Sequence, residues 1–156
     1  MLLDSILDAV GDVPLLRLAR ISSGNVFAKA EFLNPGGSVK DRVAKRIIEA
    51  AEEDGTLQPG MTILEATSGN TGIGLTLVGV QKGYQVRCVM PDNASEERKK
   101  IIEAFGGEAV FVPAEEGLAG DGATPAGQGH GPRGRCPLRA QGHHGGRAPR
   151  GRGGGP

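Results

Sequence analysis

The chain has 156 residues with 18 Lys+Arg and 18 Asp+Glu, and this neutral total hides two unlike parts. Residues 1–120 carry 12 basic and 17 acidic side chains, whereas residues 121–156 carry 6 Arg and one acid, Asp121. Two cysteines exclude a disulfide framework, and no apolar run approaches the ~20 residues of a membrane helix. With no signal-peptide pattern, the expected location is the cytoplasm.

Two short strands and a helix are predicted first. Residues 12–18 (DVPLLRL) begin with a turn and continue as a strand, and residues 26–32 (VFAKAEF) predict a second strand before the turn at 34–37 (NPGG). Ser38 followed by Asp41 is a capping-box pattern, which predicts the start of a helix. The face that this helix should bury consists of aliphatic residues: Val39, Val43, Ala44, Ile47, Ile48, Ala50 and Ala51.

After this helix, which is expected to end near Gly55, strands and helices alternate. Strands are predicted at 61–65, 84–90 and 108–112, and helices at 71–82 and 95–105. Strands separated by single helices indicate parallel pairing with right-handed crossovers, and therefore an α/β fold. The first of these helices is apolar on nearly all sides and should be buried, whereas the second is charged and should face solvent on one side.

Residues 121–156 have a different composition. They contain 12 Gly, 5 Pro, all three His and one large aliphatic residue, Leu138. Such a segment buries too little apolar surface to offset roughly 1–2 kcal/mol of backbone entropy per residue, so a disordered tail is predicted after a folded part at 1–120. Because codons for Gly, Ala, Arg and Pro are GC-rich, one interpretation is a reading-frame change near Gly120. A natural low-complexity tail is the alternative.

Two glycine-containing motifs carry the chemistry. In residues 35–42 (PGGSVKDR), Lys40 lies in the first turn of a helix, where the helix dipole disfavours a cation by ~0.3–1 kcal/mol. An exposed structural lysine is the simpler reading, but this position suits an amine that forms a Schiff base. In residues 67–72 (TSGNTG), hydroxyls and backbone N–H groups at a helix start suit a carboxylate. The glycine spacing there is not GxGxxG, so a dinucleotide site is disfavoured.

Together, the two motifs resemble the cysteine synthase family of fold-type II pyridoxal phosphate enzymes. The resemblance covers about residues 5–120 and includes 12–15 (DVPL), while residues 90–98 (MPDNASEER) are similar to the B-type isozyme. It implies pyridoxal phosphate as cofactor and a parallel-sheet fold of the tryptophan synthase β type. Only the N-terminal part of that fold has a counterpart here, so the fold is expected to be incomplete.

The resemblance also implies roles for individual residues. Lys40 would bind the cofactor covalently and act as the base for the substrate α-proton, and Asn70 would donate a hydrogen bond to the cofactor ring hydroxyl. The α-carboxylate of the substrate would be bound by Thr67, Ser68, Gly69 and Thr71. The implied reaction is a β-replacement that converts O-acetyl-L-serine and sulfide to L-cysteine and acetate, in an enzyme that is typically a homodimer.

The rest of the family's site is not found in the sequence. The family binds the cofactor phosphate in a later Gly/Thr-rich loop, and a still later Ser or Thr contacts the pyridine nitrogen; residues 153–155 (GGG) have no Thr and no strand–helix context. Weak cofactor binding and an inactive chain are therefore expected. A non-catalytic fragment or pseudo-enzyme is the second class of function, and cystathionine β-synthase-like activity is a further alternative. O-phosphoserine remains open as the donor substrate.

Other candidate sites are disfavoured. Residues 147–152 resemble an Arg/Gly RNA-binding tail, but no aromatic residue follows Phe111, so a nucleic-acid partner is not expected. Four possible metal ligands follow no zinc spacing, so no metal is expected; they are His130, Cys136, His143 and His144. Cys88 lies among apolar residues and is predicted to be a core residue, not a nucleophile.

Overall fold

The computed structural model describes residues 2–21, 23–67 and 69–114, and the backbone of Arg139–Gln141. The strands are β1 (Leu15–Arg17), β2 (Phe27–Lys29), β3 (Thr62–Ala66), β4 (Gln85–Pro91), β5 (Glu108–Val112) and β6 (Arg139–Gln141). The α-helices are α1 (Lys40–Glu53), α2 (Asn70–Gln81) and α3 (Glu96–Ala104). Two 3-10 helices, Ile6–Ala9 and Glu31–Leu33, lie on either side of the β1–β2 pair.

The larger sheet has the strand order β5-β4-β3-β6. β3 pairs parallel with β4, and β4 pairs parallel with β5, as predicted from the alternation of strands and helices. Since both crossovers step in one direction, right-handed connections place α2 and α3 on the same face, where they contact each other. β6, where the sequence predicted no strand, pairs antiparallel with β3. The rest of the predicted tail lies outside the described residues.

The hydrophobic core lies between this sheet and the helices. α2 is buried from Gly72 to Gly79, as its sequence predicted, whereas α3 buries only Ile102. On β4, Val86 and Cys88 face α2 and are buried, while Gln85 and Arg87 are exposed. No helix in the described ranges is both long and apolar enough to cross a membrane.

The N-terminal strands form a separate two-stranded antiparallel sheet, in which Leu15 is opposite Lys29 and Arg17 is opposite Phe27. The second strand was predicted to extend to residue 32, but it ends at Lys29. The chain turns there because the Ala30 carbonyl accepts a hydrogen bond from the Leu33 N–H, 3.0 Å away. Several large apolar side chains of this region are exposed: Leu15, Leu16, Val26, Phe27, Phe32 and Leu33.

The first helix buries a narrower face than the one predicted. Its buried stripe consists of Asp41, Ala44, Ile48 and Ala51, and the outer positions Val39 and Val43 are exposed.

The predicted capping box at Ser38 and Asp41 is wrong. The Asp41 carboxylate accepts from the Gly36 N–H, because the preceding turn folds back over it. A capping box forms instead between Ser5 and Asp8, at the first 3-10 helix.

Candidate active site

Lys40 is the first residue of α1 and directly follows a tight turn. Gly37 has a φ of +80°, which favours glycine, and its N–H donates to the Asn34 carbonyl at 2.8 Å. The Lys40 N–H donates to Ser38 Oγ at 3.1 Å. The Lys40 side chain is exposed, and its Nζ makes no hydrogen bond or ion pair with any described residue. The amine is therefore accessible to a ligand.

The second motif connects β3 to α2. Thr67 is buried; its N–H donates to the Val89 carbonyl at 3.0 Å, and its Oγ1 accepts from the Gly69 N–H at 3.3 Å. Asn70 is exposed and Thr71 is half-buried at the first turn of the helix, where no described side chain provides a cap. Unpaired N–H groups and the positive end of the helix dipole make such a terminus suitable for an anion.

Gly74 brings the two motifs together. A Cβ atom on Gly74 would lie 3.0 Å from the Lys40 carbonyl oxygen and 3.2 Å from Ala44 Cβ. Only glycine permits α2 to approach the first turn of α1 this closely without displacing backbone. The contact holds the first turn of α1, which contains Lys40, against α2 at a position one turn after Asn70.

The space next to both motifs is open. A Cβ built on Gly37 or on Gly69 meets no other atom within 4 Å. The exposed Lys40 amine beside these uncovered turns is the kind of group that binds a cofactor covalently. Ser68, the remaining predicted carboxylate ligand, lies outside the described residues.

Cys88 is a core residue, as predicted. Its Sγ lies 3.6 Å from Thr76 Oγ1 and 3.7 Å from the Gly72 carbonyl oxygen, within α2 packing. Burial raises the pKa of this thiol, and the nearby Glu65 carboxylate raises it further, while the Thr76 hydroxyl opposes the shift. Burial also raises the pKa of Glu65. A thiol held in its neutral form is a poor nucleophile.

The sequence did not predict that two polar residues here are buried, Asp41 within the lysine motif and Asn34 just before it. Asp41 is fully buried, and its Oδ1 has no hydrogen-bond partner among the described residues. Burial raises the pKa of this carboxyl, Glu31 adds to the shift, and the Gly36 N–H opposes it. Asn34 is also buried and bonds to three separate segments. The sequence signal, an Asn before Pro-Gly-Gly, is also typical of any turn.

No cluster of three potential metal ligands occurs within the described ranges. The possible ligands named from the tail, His130, Cys136, His143 and His144, lie outside those ranges.

Comparison with known proteins gives the class to which this geometry corresponds. Residues 6–132 match the family described as pyridoxal-phosphate dependent enzyme, and the chain belongs to that family. The family implies pyridoxal phosphate as its cofactor.

Within the family, the similarity is to cysteine synthases and related enzymes. The chain is 48% identical over 116 residues to a probable cysteine synthase from Bacillus subtilis (strain 168), which covers 72% of this chain and 37% of the relative. A crystal structure of O-ureido-L-serine synthase superimposes with a TM-score of 0.71 at 47% identity, covering 77% of this chain and 39% of that one. An O-acetylserine dependent cystathionine beta-synthase from Helicobacter pylori gives a TM-score of 0.68 at 34% identity, covering 77% and 41%. The chain thus spans about two fifths of the length of these relatives.

Proposed function

We propose that this chain carries the lysine and the carboxylate-binding loop of a pyridoxal phosphate enzyme that performs β-replacement on an amino acid. The reaction proposed for the whole enzyme converts O-acetyl-L-serine and sulfide to L-cysteine and acetate. The observation that carries the proposal is the contact at Gly74, where the Lys40 carbonyl packs against α2 one turn after Asn70. The identity to a probable cysteine synthase supports the choice of reaction.

Lys40 is proposed as the covalent cofactor lysine and as the group that removes the substrate α-proton. An unpaired, accessible amine suits both tasks, because it must first act as a nucleophile and then as a base. The bound cofactor supplies an electron sink that makes the α-proton of the amino acid acidic. Asn70, which is exposed at the N-terminus of α2, is proposed to donate to the cofactor ring hydroxyl.

The substrate carboxylate is assigned to the first turn of α2 and the residues before it. Thr71 would offer its N–H group and its hydroxyl. Gly69, whose own N–H donates to Thr67 Oγ1 at 3.3 Å, is proposed to let the backbone approach the anion closely. Thr67 is already bonded to the Gly69 N–H through its hydroxyl, so its proposed role is to shape the loop around the anion. Ser68 is proposed as a further ligand from its place in the motif.

The chain alone is proposed to be inactive and to bind the cofactor weakly. It corresponds to about two fifths of its relatives, and its described residues contribute a lysine and a carboxylate site but no second loop for the cofactor phosphate. A homodimer is proposed only for the complete enzyme. The boundary near residue 120 between a folded part and a tail also remains a proposal.

Reductive trapping tests the role of Lys40. The purified chain is mixed with pyridoxal phosphate, reduced with borohydride and digested, and the pyridoxyl-lysine peptides are quantified. Lys40 should carry most of the label, and Lys40→Ala should remove it without changing the circular dichroism spectrum, because the Lys40 side chain has no partner to lose. Lys100→Ala is the matched control, because Lys100 is also an exposed helical lysine. Label mainly on Lys29 or Lys45 would contradict the assignment.

A second candidate reaction is of the cystathionine β-synthase type, favoured by the similarity to the Helicobacter pylori enzyme. The two reactions differ in the sulfur nucleophile, sulfide in one and a thiol-bearing amino acid in the other. Offering both nucleophiles with O-acetylserine or O-phosphoserine to a complete enzyme built on this sequence distinguishes them. Product from the chain alone in any combination would contradict both its proposed inactivity and the alternative of a non-catalytic fragment.

A further inference from the structure

The side chain of Asn34, which lies just before the lysine turn, makes four hydrogen bonds. It is 4% exposed, and its Oδ1 accepts from the Gly11 N–H at 2.8 Å. Its Nδ2 donates to the Glu31 carbonyl at 2.8 Å, to Glu31 Oε2 at 2.7 Å and to the Ser38 carbonyl at 3.0 Å. One amide group therefore ties the N-terminal segment, the second 3-10 helix and the lysine turn together.

Arg42, two residues after Lys40, contacts the same two residues as Asn34, namely Glu31 and Gly11. Its Nε donates to both carboxylate oxygens of Glu31, at 3.1 and 2.9 Å, and its Nη2 donates to the Gly11 carbonyl. The hydrogen bond from Arg42 is the main cause of a lowered Glu31 pKa, so this carboxylate stays charged. Gly11 has a φ of +91°, and a Cβ there would collide with the Arg42 guanidinium.

Two of these residues flank the lysine turn in the chain: Asn34 precedes it and Arg42 follows it. With Gly11 and Glu31 they form one hydrogen-bonded cluster, the Gly11 cluster. Asn34 holds Gly11 by its N–H, and Arg42 holds Gly11 by its carbonyl. The turn between them contains Gly36 and Gly37, the residue type with the widest backbone freedom. The Lys40 amine has no described partner of its own, so its position is set by the backbone of this turn alone.

We propose that Asn34 and Arg42 are positioning residues for Lys40, which act by fixing the lysine turn onto the peptide group of Gly11. The inference rests on the proposed function in taking Lys40 as the cofactor lysine. Neither side chain touches the cofactor or the substrate; both act through the backbone at 36–40. Their loss lets the turn sample other conformations, so that the amine meets the cofactor aldehyde in the correct orientation less often.

Asn34→Asp is the sharpest variant, because it keeps the shape and the acceptor but removes the Nδ2 donor. It also places a carboxylate beside Glu31 Oε2 and two carbonyl oxygens, which repel it. Asn93→Asp makes the same chemical change at an exposed Asn of the described surface. Arg42→Lys keeps the cation but loses the planar fork that contacts Glu31 and Gly11 together.

The test uses the full chain with pyridoxal phosphate and borohydride, and measures the initial rate of trapping at each lysine. Asn34→Asp should lower the rate at Lys40 about tenfold, while rates at Lys82 and Lys99 stay within about twofold of wild type. Arg42→Lys should show the same selective loss, and Asn93→Asp should show none. A purely structural role would instead change the rates at all lysines together.

Equal rates at Lys40 in wild type, Asn34→Asp and Arg42→Lys would overturn the positioning role and leave the proposed function standing. Wild-type chain that does not label Lys40 preferentially overturns the proposed function, and the inference with it. If circular dichroism shows that Asn34→Asp does not fold, the Arg42→Lys rates decide, because Arg42 is partly exposed and its replacement removes no buried side chain.

Discussion

Gly74→Ala tests whether the contact between α1 and α2 holds the two motifs together. The added methyl would lie 3.0 Å from the Lys40 carbonyl oxygen, 3.1 Å from the Lys40 carbonyl carbon and 3.2 Å from Ala44 Cβ. Overpacking costs ~1–3 kcal/mol, and the upper part of that range applies here because two of these atoms are backbone and cannot rotate away. Alanine regains ~1 kcal/mol of helix propensity over glycine. The net cost is therefore about 2 kcal/mol.

Amide hydrogen exchange measures this cost where it occurs. A loss of about 2 kcal/mol corresponds to about 30-fold lower protection in the first turns of α1 and α2. Gly79→Ala is the matched control on the same helix, because its methyl would meet Val86 and Ile63 side chains, and it should lower protection in β3 and β4. The reasoning is refuted if Gly74→Ala leaves protection at residues 40–44 within twofold of wild type, or if Gly79→Ala has the same effect there.

Two further predictions concern the surface and the pH dependence of stability. Phe27→Ser with Phe32→Ser should lower the fluorescence of a bound hydrophobic dye, because both rings are exposed. Phe111→Ser should change the fluorescence little, because Lys99 lies over that ring. Equal effects would contradict dye binding at the exposed residues of the N-terminal sheet and the 3-10 helix after it. Burial raises the pKa of Glu52, but hydrogen bonds from Lys82 and Tyr84 outweigh it and lower the pKa below its ordinary value of 4.5. The stability from Glu52 is therefore present above that value and is lost as the pH falls through the lower folded-state pKa. Glu52→Gln should flatten the acid limb of a plot of melting temperature against pH, whereas Glu53→Gln, at an exposed ion pair, should leave it unchanged.

The part of the fold in which strands and helices alternate, from β3 to β5, could be predicted from the sequence because each element has a strong local signal. The strand predicted at 108–112 is β5 as observed, and the helices predicted at 71–82 and 95–105 differ from α2 and α3 by about one residue at each end. Glycines close these helices: Gly83 and Gly106 have φ values of +87° and +89°, which few other residues adopt. The parallel pairing then follows from chain connectivity alone.

The features that the sequence did not predict depend on competition between hydrogen bonds, local ones before α1 and after β2, and one set between the distant strands β3 and β6. Ser38 and Asp41 have capping-box spacing, yet Asp41 bonds to Gly36 because the turn folds over it. The strand at β2 ends early, and β6 forms in a segment with almost no apolar residues, where backbone pairing with β3 decides the outcome. No local pattern shows which of two competing hydrogen bonds will form.

The candidate site was predicted from motif chemistry, but its assembly was not. Lys40 and Asn70 are 30 residues apart, and their proximity comes from Gly74, a residue that neither motif contains. The contact at Gly74 joins α1 directly to α2, so among the described residues this contact itself involves neither β1 nor β2. The orientation of Lys40 itself depends on the other side of the turn, where Asn34 and Arg42 hold Gly11. Proximity and orientation are therefore set by separate contacts, so Gly74→Ala and Asn34→Asp should have separable effects, the first on the packing of both helix starts and the second on the reactivity of one amine.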